Sequence, residues 1–397
     1  MFSFNKKIDS DLKALIEINS GKNYRVLIKY RNFPDTLQKK ISSYRGTFIC
    51  LIKDCSLICA NINSKAINRL LEYPEVQYIC LDRYLFLCGT SISTANKIRL
   101  TNKSNLSGRG VGIGIIDSGV YPHKDLTLPE NRIGTFLDLI NSLSYPYDDN
   151  GHGSCTCGII AGNGEASNGA YKGIAPGCTL HVVKSFDKLG KGYASNILMA
   201  LAYLIENSSK YNIKVICLPF EQLNFNLFIY RAFDKLFIKA KSLGIICVLP
   251  SGSNKNDEGT ITGLALNPNC ITVSGVNTLS TISSYEYSSC GGSKKDTKPD
   301  FTAACVDIVS LNSNTSYYSE RNNTKVYAPK LDTSYKSFTG TSIAAAYVAG
   351  VCALLYENNP SLSYDDILSL LKLSSESLNL DKYQQGAGKI NINNVLK

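Results

Sequence analysis

Only three histidines occur in the 397 residues, at positions 123, 152 and 181. Any imidazole base or imidazole metal ligand must come from that short set. No apolar run approaches the roughly 20 residues that a membrane helix needs, so no spanning segment is expected. The first residues, MFSFNKKIDSDLKALIEINS, carry Lys6 and Lys7 but lack the apolar stretch of a secretion signal, because Asp9, Asp11, Lys13 and Glu17 interrupt it. Zinc-finger, RNA-recognition and basic-helix signatures are missing, as are internal repeats and low-complexity tracts.

What is present is an ordinary globular balance, with 44% hydrophobic and 19% charged residues. The length suffices for one large domain and a small one. Net charge is +10, and residues 1–95 hold 14 lysines and arginines against 8 acidic residues. With no recognition signature beside it, this excess reads as a solvated surface, and no nucleic-acid partner is expected. Fourteen cysteines occur, many inside apolar runs (Cys50, Cys59, Cys80, Cys217, Cys247, Cys270 and Cys352). Without a signal they read as reduced small hydrophobes in a cytoplasmic protein, although export by another route stays open.

The element pattern changes along the chain. Residues 24–30 read as a strand and 35–43 as a helix capped by Asp35. Strands follow at 46–53 and 56–61, then a helix at 63–72 with Ala66, Ile67, Leu70 and Leu71 on one face, then one strand through 75–87. This β-α-β-β-α-β order is ferredoxin-like and marks residues 22–88 as a small α+β domain behind an extension at 1–21. Residues 89–108 are polar and read as a linker. From 109 to 397, buried strands at 111–117, 179–186, 214–220, 244–250 and 270–276 alternate with helices such as 193–207 and 227–242. That alternation predicts an α/β domain with a mainly parallel sheet covered on both faces.

Three segments carry chemistry. GVGIGIIDSGVYPHKDL puts Asp117 at the end of a buried strand. DDNGHGSCTCGIIAG puts His152 between two glycines before an apolar helical run. SFTGTSIAAAYVAGVCALL puts Ser342 at the start of a small-residue helix. Acyl transfer from a peptide needs a nucleophile, a base that takes its proton and an acid that orients the base. A carboxylate at the C-terminal end of a parallel strand lies where such sheets present their sites. A serine at a helix start meets the positive end of the helix, where developing negative charge is stabilised. Of the other histidines, His181 falls inside a strand as a core or edge residue, and His123 lies in the loop after Asp117, within reach of solvent.

Together, in this order and spacing, the segments closely resemble the subtilases, the subtilisin-like serine peptidases of family S8. The order Asp, His, Ser differs from that of chymotrypsin-like and α/β-hydrolase enzymes, and no G-x-S-x-G elbow is present. The resemblance covers residues 105–397 and includes 171–186, 298–311 and 383–392; DSGVYPHKDL and PYDDNGHG are most like the intracellular bacillus-type members. It implies a three-layer α/β/α fold and a serine endopeptidase with Asp117, His152 and Ser342 as its triad. Residues 22–88 resemble the inhibitory propeptide of such enzymes, which assists folding, blocks the cleft with its tail and is cut off, here between Leu87 and Asn96. The resemblance also implies an extended peptide or protein substrate lying beside Leu218, Pro219 and Phe220 on one side and Ser251 and Gly252 on the other. The oxyanion would be held by the Ser342 N–H and by a side chain at Ser253 or Asn254.

The sequence departs from the family pattern at several points. LPSGSNKNDEG puts Ser253 where the family has its oxyanion asparagine, with Asn254 next. The substrate strand ends Pro219-Phe220-Glu221-Gln222 where glycines are usual, which removes one N–H and narrows the substrate range. Cys155 and Cys157 follow His152 and are open to three readings: packing, a thiol that responds to oxidants, or a metal site. No cofactor is required. A structural calcium near Asp125, as in some relatives, would need far more oxygen ligands than this one carboxylate. The competing function is that of a degenerate subtilase acting as a binding or regulatory partner with little proteolysis.

Overall fold

The computed structural model describes residues 7–18, 23–87, 106–279, 281–292 and 298–391. Most of the expected linker and cleavage region therefore lies outside the described residues. The chain divides into two compact units. The first is residues 1–84 with 193–202 and 227–236; the second is residues 85–192, 203–226 and 237–397.

The first unit is built on a four-stranded antiparallel sheet. Its order is Thr47–Ile52, Leu57–Asn63, Asn23–Tyr30, Val76–Leu81. This is the arrangement a β-α-β-β-α-β chain adopts. Along the central strand Val26 and Ile28 face one side. There they join Leu37 and Ile41 of the helix Pro34–Ser43 and Ala66, Ile67, Leu70 and Leu71 of the helix Ser64–Leu71 in one core. Asn63 caps the latter helix by accepting from Ala66 N at 2.9 Å. Asp35 does not cap the former. Pro34, with no N–H to satisfy and a preset φ, opens that helix, and Asp35 sits in its first turn. The single strand expected through 75–87 is two, Val76–Leu81 and Tyr84–Leu87. Asp82 interrupts it by turning inward, with Arg25 Nε at 2.7 Å and the Ser195 N–H at 2.9 Å. Its carboxylate thus meets the first turn of the helix Ala194–Glu206, where a negative charge is favoured. The helix Ser10–Ile18, buried through Leu12, falls within the stretch read only as an extension.

The second unit holds a mainly parallel sheet. Its order runs Phe301–Ala304, Ile271–Asn277, Ile246–Pro250, Ile213–Cys217, Gly112–Asp117, Thr179–Lys184, Ile133–Asp138, with a short antiparallel pair, Ser375–Glu376 and Lys389–Ile390, beyond the first of these. Nearly every residue of the central strands is buried, as a sheet covered on both faces requires. The helices His152–Ala161 and Thr341–Asn358 pack together on one face within the main core. On Gly114 there is no room for a side chain, because an added Cβ would lie 2.8 Å from Leu204. The strand expected at 214–220 stops at Cys217. The Phe220 N–H bonds to the Leu218 carbonyl at 2.8 Å across Pro219, a tight turn that sends Phe220–Glu221 out of the main sheet.

Candidate active site

Asp117 is the last residue of its strand and fully buried. His152 is the first residue of the helix His152–Ala161, and its Nδ1 lies 2.9 Å from both Asp117 oxygens. Two further donors hold the carboxylate: Ser118 N–H to Oδ1 at 2.6 Å, and Thr156 Oγ1 to Oδ2 at 2.9 Å. Thr156 stands four residues after His152, on the same helix face, so one helix supplies both the imidazole and a support for its partner. With Nδ1 donating to the carboxylate, Nε2 is left as the basic nitrogen. Gly153 makes this approach possible, since an added Cβ would stand 2.0 Å from the Gly119 carbonyl oxygen.

The helix start is held by a carboxylate that the sequence reading missed. Asp148, fully buried, accepts from Ser118 Oγ (2.8 Å), Asn150 N (3.1 Å) and Gly151 N (2.8 Å) on Oδ1, and from Ser154 N (2.8 Å) and Ser154 Oγ (2.6 Å) on Oδ2. It therefore satisfies N–H groups that a helix end leaves without partners. Beside it the buried Lys184 gives all three protons away: to Asp149 Oδ1 at 2.5 Å, the Ser118 carbonyl at 2.6 Å and the Phe186 carbonyl at 2.9 Å. Lys184 stands opposite Asp117 in the parallel register. Asp148 holds Asn150, Gly151 and Ser154 locally, while its bond to Ser118 and those of Lys184 to Asp149 and Ser118 join residues 30 or more apart; the D-D-N-G run before His152 was the one signal in the sequence.

Ser342 is the second residue of the helix Thr341–Asn358 and is 3% exposed. Its Oγ bonds to the Pro219 carbonyl at 3.1 Å, and Thr341 Oγ1 bonds to the Gly252 carbonyl at 3.2 Å. The nucleophile candidate therefore lies between the two segments expected to flank a substrate. Leu218 and Phe220 are buried, the latter with its ring 5.3 Å from Phe186. Ser251 is tied to Val273 by its N–H and to Ser288 by its hydroxyl. The strand Phe220–Glu221 pairs antiparallel with Tyr84–Leu87, Phe220 opposite Leu87 and Glu221 opposite Phe86. Proline and bulky side chains in this segment thus leave strand pairing intact.

Ser253 and Asn254 differ sharply. Asn254 turns its amide to the Thr260 carbonyl at 3.4 Å and its N–H to Ser289 Oγ at 2.8 Å. Ser253 is engaged by Glu221: its N–H donates to Oε2 at 2.8 Å and its hydroxyl to Oε1. Burial pushes the Glu221 carboxyl up, only partly opposed by those two bonds.

The remaining candidates are structural. His123 is 2% exposed, not solvent-accessible as expected: its Nδ1 accepts from Asp125 N at 3.1 Å and its Nε2 donates to the Ser334 carbonyl at 2.9 Å, and burial lowers its pKa. His181 is a core residue. Cys155 and Cys157 are buried and burial raises both thiols, which favours packing over reactivity. Asp125 is surrounded by donors, with Ala166 N (2.8 Å), Gly164 N (3.1 Å) and Tyr335 OH (2.6 Å) on its oxygens. That set does not fit calcium, which needs several oxygen ligands of its own. Among the described residues no group of three or more His, Cys, Asp or Glu could hold a metal.

A model of the subtilase family, peptidase S8, matches residues 108–388. This chain is a subtilase. It is 30% identical over 376 residues to serine protease AprX of Bacillus subtilis, which covers 91% of this chain and 83% of that protein. Subtilisin E of the same species is 24% identical over 358 residues, covering 89% and 84%. Among solved structures, fervidolysin from Fervidobacterium pennivorans, a keratinolytic enzyme related to subtilisin, superposes with a TM-score of 0.71 at 18% identity. The match covers 95% of this subtilase but only 61% of that chain, so it speaks for the fold. The subtilase is accordingly a serine protease by family, with a small antiparallel α+β region in front of the parallel-sheet domain.

Proposed function

We propose that this subtilase is a self-processing endopeptidase in which Ser342 attacks the peptide carbonyl, His152 Nε2 takes its proton, and Asp117 orients and stabilises the resulting imidazolium. The observation that carries this reading is the His152–Asp117 contact. One imidazole nitrogen meets both carboxylate oxygens at 2.9 Å, and the remaining acceptor capacity is filled by Ser118 and Thr156. That arrangement fixes the tautomer which leaves Nε2 basic. An acyl-enzyme on Ser342 would follow, with the oxyanion facing the N–H groups at the start of the helix Thr341–Asn358.

The pairing of Tyr84–Leu87 with Phe220–Glu221 supports the zymogen half of the reading. A strand of the chain itself lies where an added substrate strand would pair. Residues 22–88 then act as an intramolecular inhibitor until the chain is cut between Leu87 and Asn96. The thirteen buried thiols among the described residues favour work in a reducing compartment such as the cytoplasm.

The full chain and its Ser342→Ala variant should be purified in parallel and their intact masses taken. Loss of roughly the first 90 residues from the wild type alone supports both the nucleophile and the processing assignments. If both remain whole and neither takes a fluorophosphonate probe, a binding partner with a silent site becomes the better reading. Glu221 is the observation on that side, because it engages the Ser253 hydroxyl that would otherwise face the oxyanion.

A further inference from the structure

Glu221 is a half-buried carboxylate that the proposed mechanism does not use. It belongs to the strand that pairs with an incoming peptide, yet its side chain reaches across to the segment on the other side of Ser342. Its Oε2 accepts the Ser253 N–H at 2.8 Å, its Oε1 accepts the Ser253 hydroxyl, and a Cβ on Gly252 would stand only 2.8 Å from Oε2. The carboxylate therefore lies flush against the glycine backbone. Gly252, at φ +110°, is a position that other residues rarely adopt, so this wall is fixed by its backbone.

The register says what this bar faces. In the observed antiparallel ladder, Leu87 is opposite Phe220 and Phe86 is opposite Glu221. The ladder ends there, because Pro219 makes the tight turn; its carbonyl is 3.1 Å from Ser342 Oγ, while Thr341 Oγ1 holds the Gly252 carbonyl at 3.2 Å, so the next substrate residue comes level with Ser342 between these two segments. That residue carries the carbonyl to be attacked. Glu221 bridges those same two segments, running from its own strand to Ser253. The side chain on the acyl side of the scissile bond must therefore enter the space that Glu221 crosses.

Resting on the protease reading above, we propose that Glu221 is a specificity-determining residue: latched to Ser253 across the cleft, it restricts the residue on the acyl side of the scissile bond to small uncharged side chains. A long apolar side chain would have to expel the half-buried carboxylate from its two hydrogen bonds with Ser253 and cover it without replacing them. A basic side chain is as long and meets the same bar, so it too could enter only by drawing the carboxylate away from the Ser253 N–H and hydroxyl. The chain's own sequence after the paired strand fits this selection, since residues 88–92 read Cys-Gly-Thr-Ser-Ile, four of them small.

The test is a series of peptides Ala-Phe-Leu-X-p-nitroanilide with X as Ala, Ser, Leu, Phe or Lys. They are assayed with the wild type expressed as the full chain, its active sites counted by fluorophosphonate labelling of Ser342. The wild type is expected to favour Ala and Ser over Phe and Lys at least tenfold in kcat/KM. Glu221→Gly, which opens the space, shifts the Phe-to-Ala ratio upward at least tenfold. Glu221→Gln, which keeps the shape, retains the preference for small residues. A wild-type preference for Lys that vanishes in Glu221→Gln would overturn the proposal and make the carboxylate a receptor for basic side chains. A ratio unchanged by Glu221→Gly would overturn it too. Absence of labelling at Ser342 is a different failure, that of the protease reading itself.

Discussion

His181 makes the second unit sensitive to acid, and the size of the effect can be worked from its surroundings. The ring is 3% exposed, stacks on Tyr211 with centroids 4.7 Å apart and places Nδ1 3.0 Å from Thr135 Oγ1, while Nε2 is buried without a well-formed hydrogen bond. Burial lowers its pKa to about 4, against a weaker pull from the Tyr211 carbonyl in the other direction. In the unfolded chain the same group titrates near 6.5. The unfolded state therefore takes up the proton first as pH falls. Stability is fully present above about pH 6.5 and declines until about pH 4. At pH 4.5 the loss relative to pH 7.5 amounts to roughly 2–3 kcal/mol. The measurement is urea unfolding of the Ser342→Ala protein, which cannot digest itself, at pH 7.5, 6.5, 5.5 and 4.5, beside the same protein carrying His181→Phe. Phenylalanine keeps the stack on Tyr211 and cannot titrate. Because burial also lowers His123, only the difference between the two proteins isolates His181. Histidine-selective NMR gives an independent check, since the chain has three histidines and hence three signals to follow. Parallel loss of stability in the two proteins, or a His181 signal that titrates above pH 6, would refute the reasoning.

Other outcomes follow from the same contacts. Thr156→Val removes one charged hydrogen bond from Asp117 and should lower kcat about tenfold with KM little changed, read by steady-state kinetics on one peptide. Asp148→Asn swaps an acceptor for a donor in a site where five donors converge, and should cost about 2–3 kcal/mol in urea unfolding as well as activity. Asp82→Ala strips the charged partner from Arg25, which keeps its hydrogen bonds to Ser195 and Asn196, and takes the acceptor from the first turn of the helix Ala194–Glu206. The first unit should lose about 2–3 kcal/mol, seen as faster proteolysis of residues 1–84 in the Ser342→Ala background. Ser253→Asn combined with Glu221→Gly restores a long amide donor and should raise kcat about tenfold or more over Glu221→Gly alone.

The sequence made some features of this molecule plain and hid others for physical reasons. The strand end at Asp117 and the helix starts at His152 and Ser342 were legible because each sits where a buried run meets glycine. The helix at 227–242 and the central parallel strands were equally clear from their periodicity. The strand Ile133–Asp138 was missed because its partly exposed residues give no clean alternation. Pro219 was read as a weakness in strand pairing, whereas the proline makes the turn that carries Phe220–Glu221 out to its partner. Lys184 and the Glu221–Ser253 bond were beyond reach, since each depends on groups that only the folded chain brings together.

The cysteines set up one further consequence. Among the described residues thirteen thiols are buried and spread over both units: Cys50, Cys55, Cys59 and Cys80 in the first, and Cys155, Cys157, Cys178, Cys217, Cys247, Cys270, Cys290, Cys305 and Cys352 in the second. A thiol enclosed in protein reacts with an alkylating reagent only when the element around it opens. The molecule thus carries its own set of clocks, and the order in which these sulfurs acquire a label would trace the sequence in which its parts come apart.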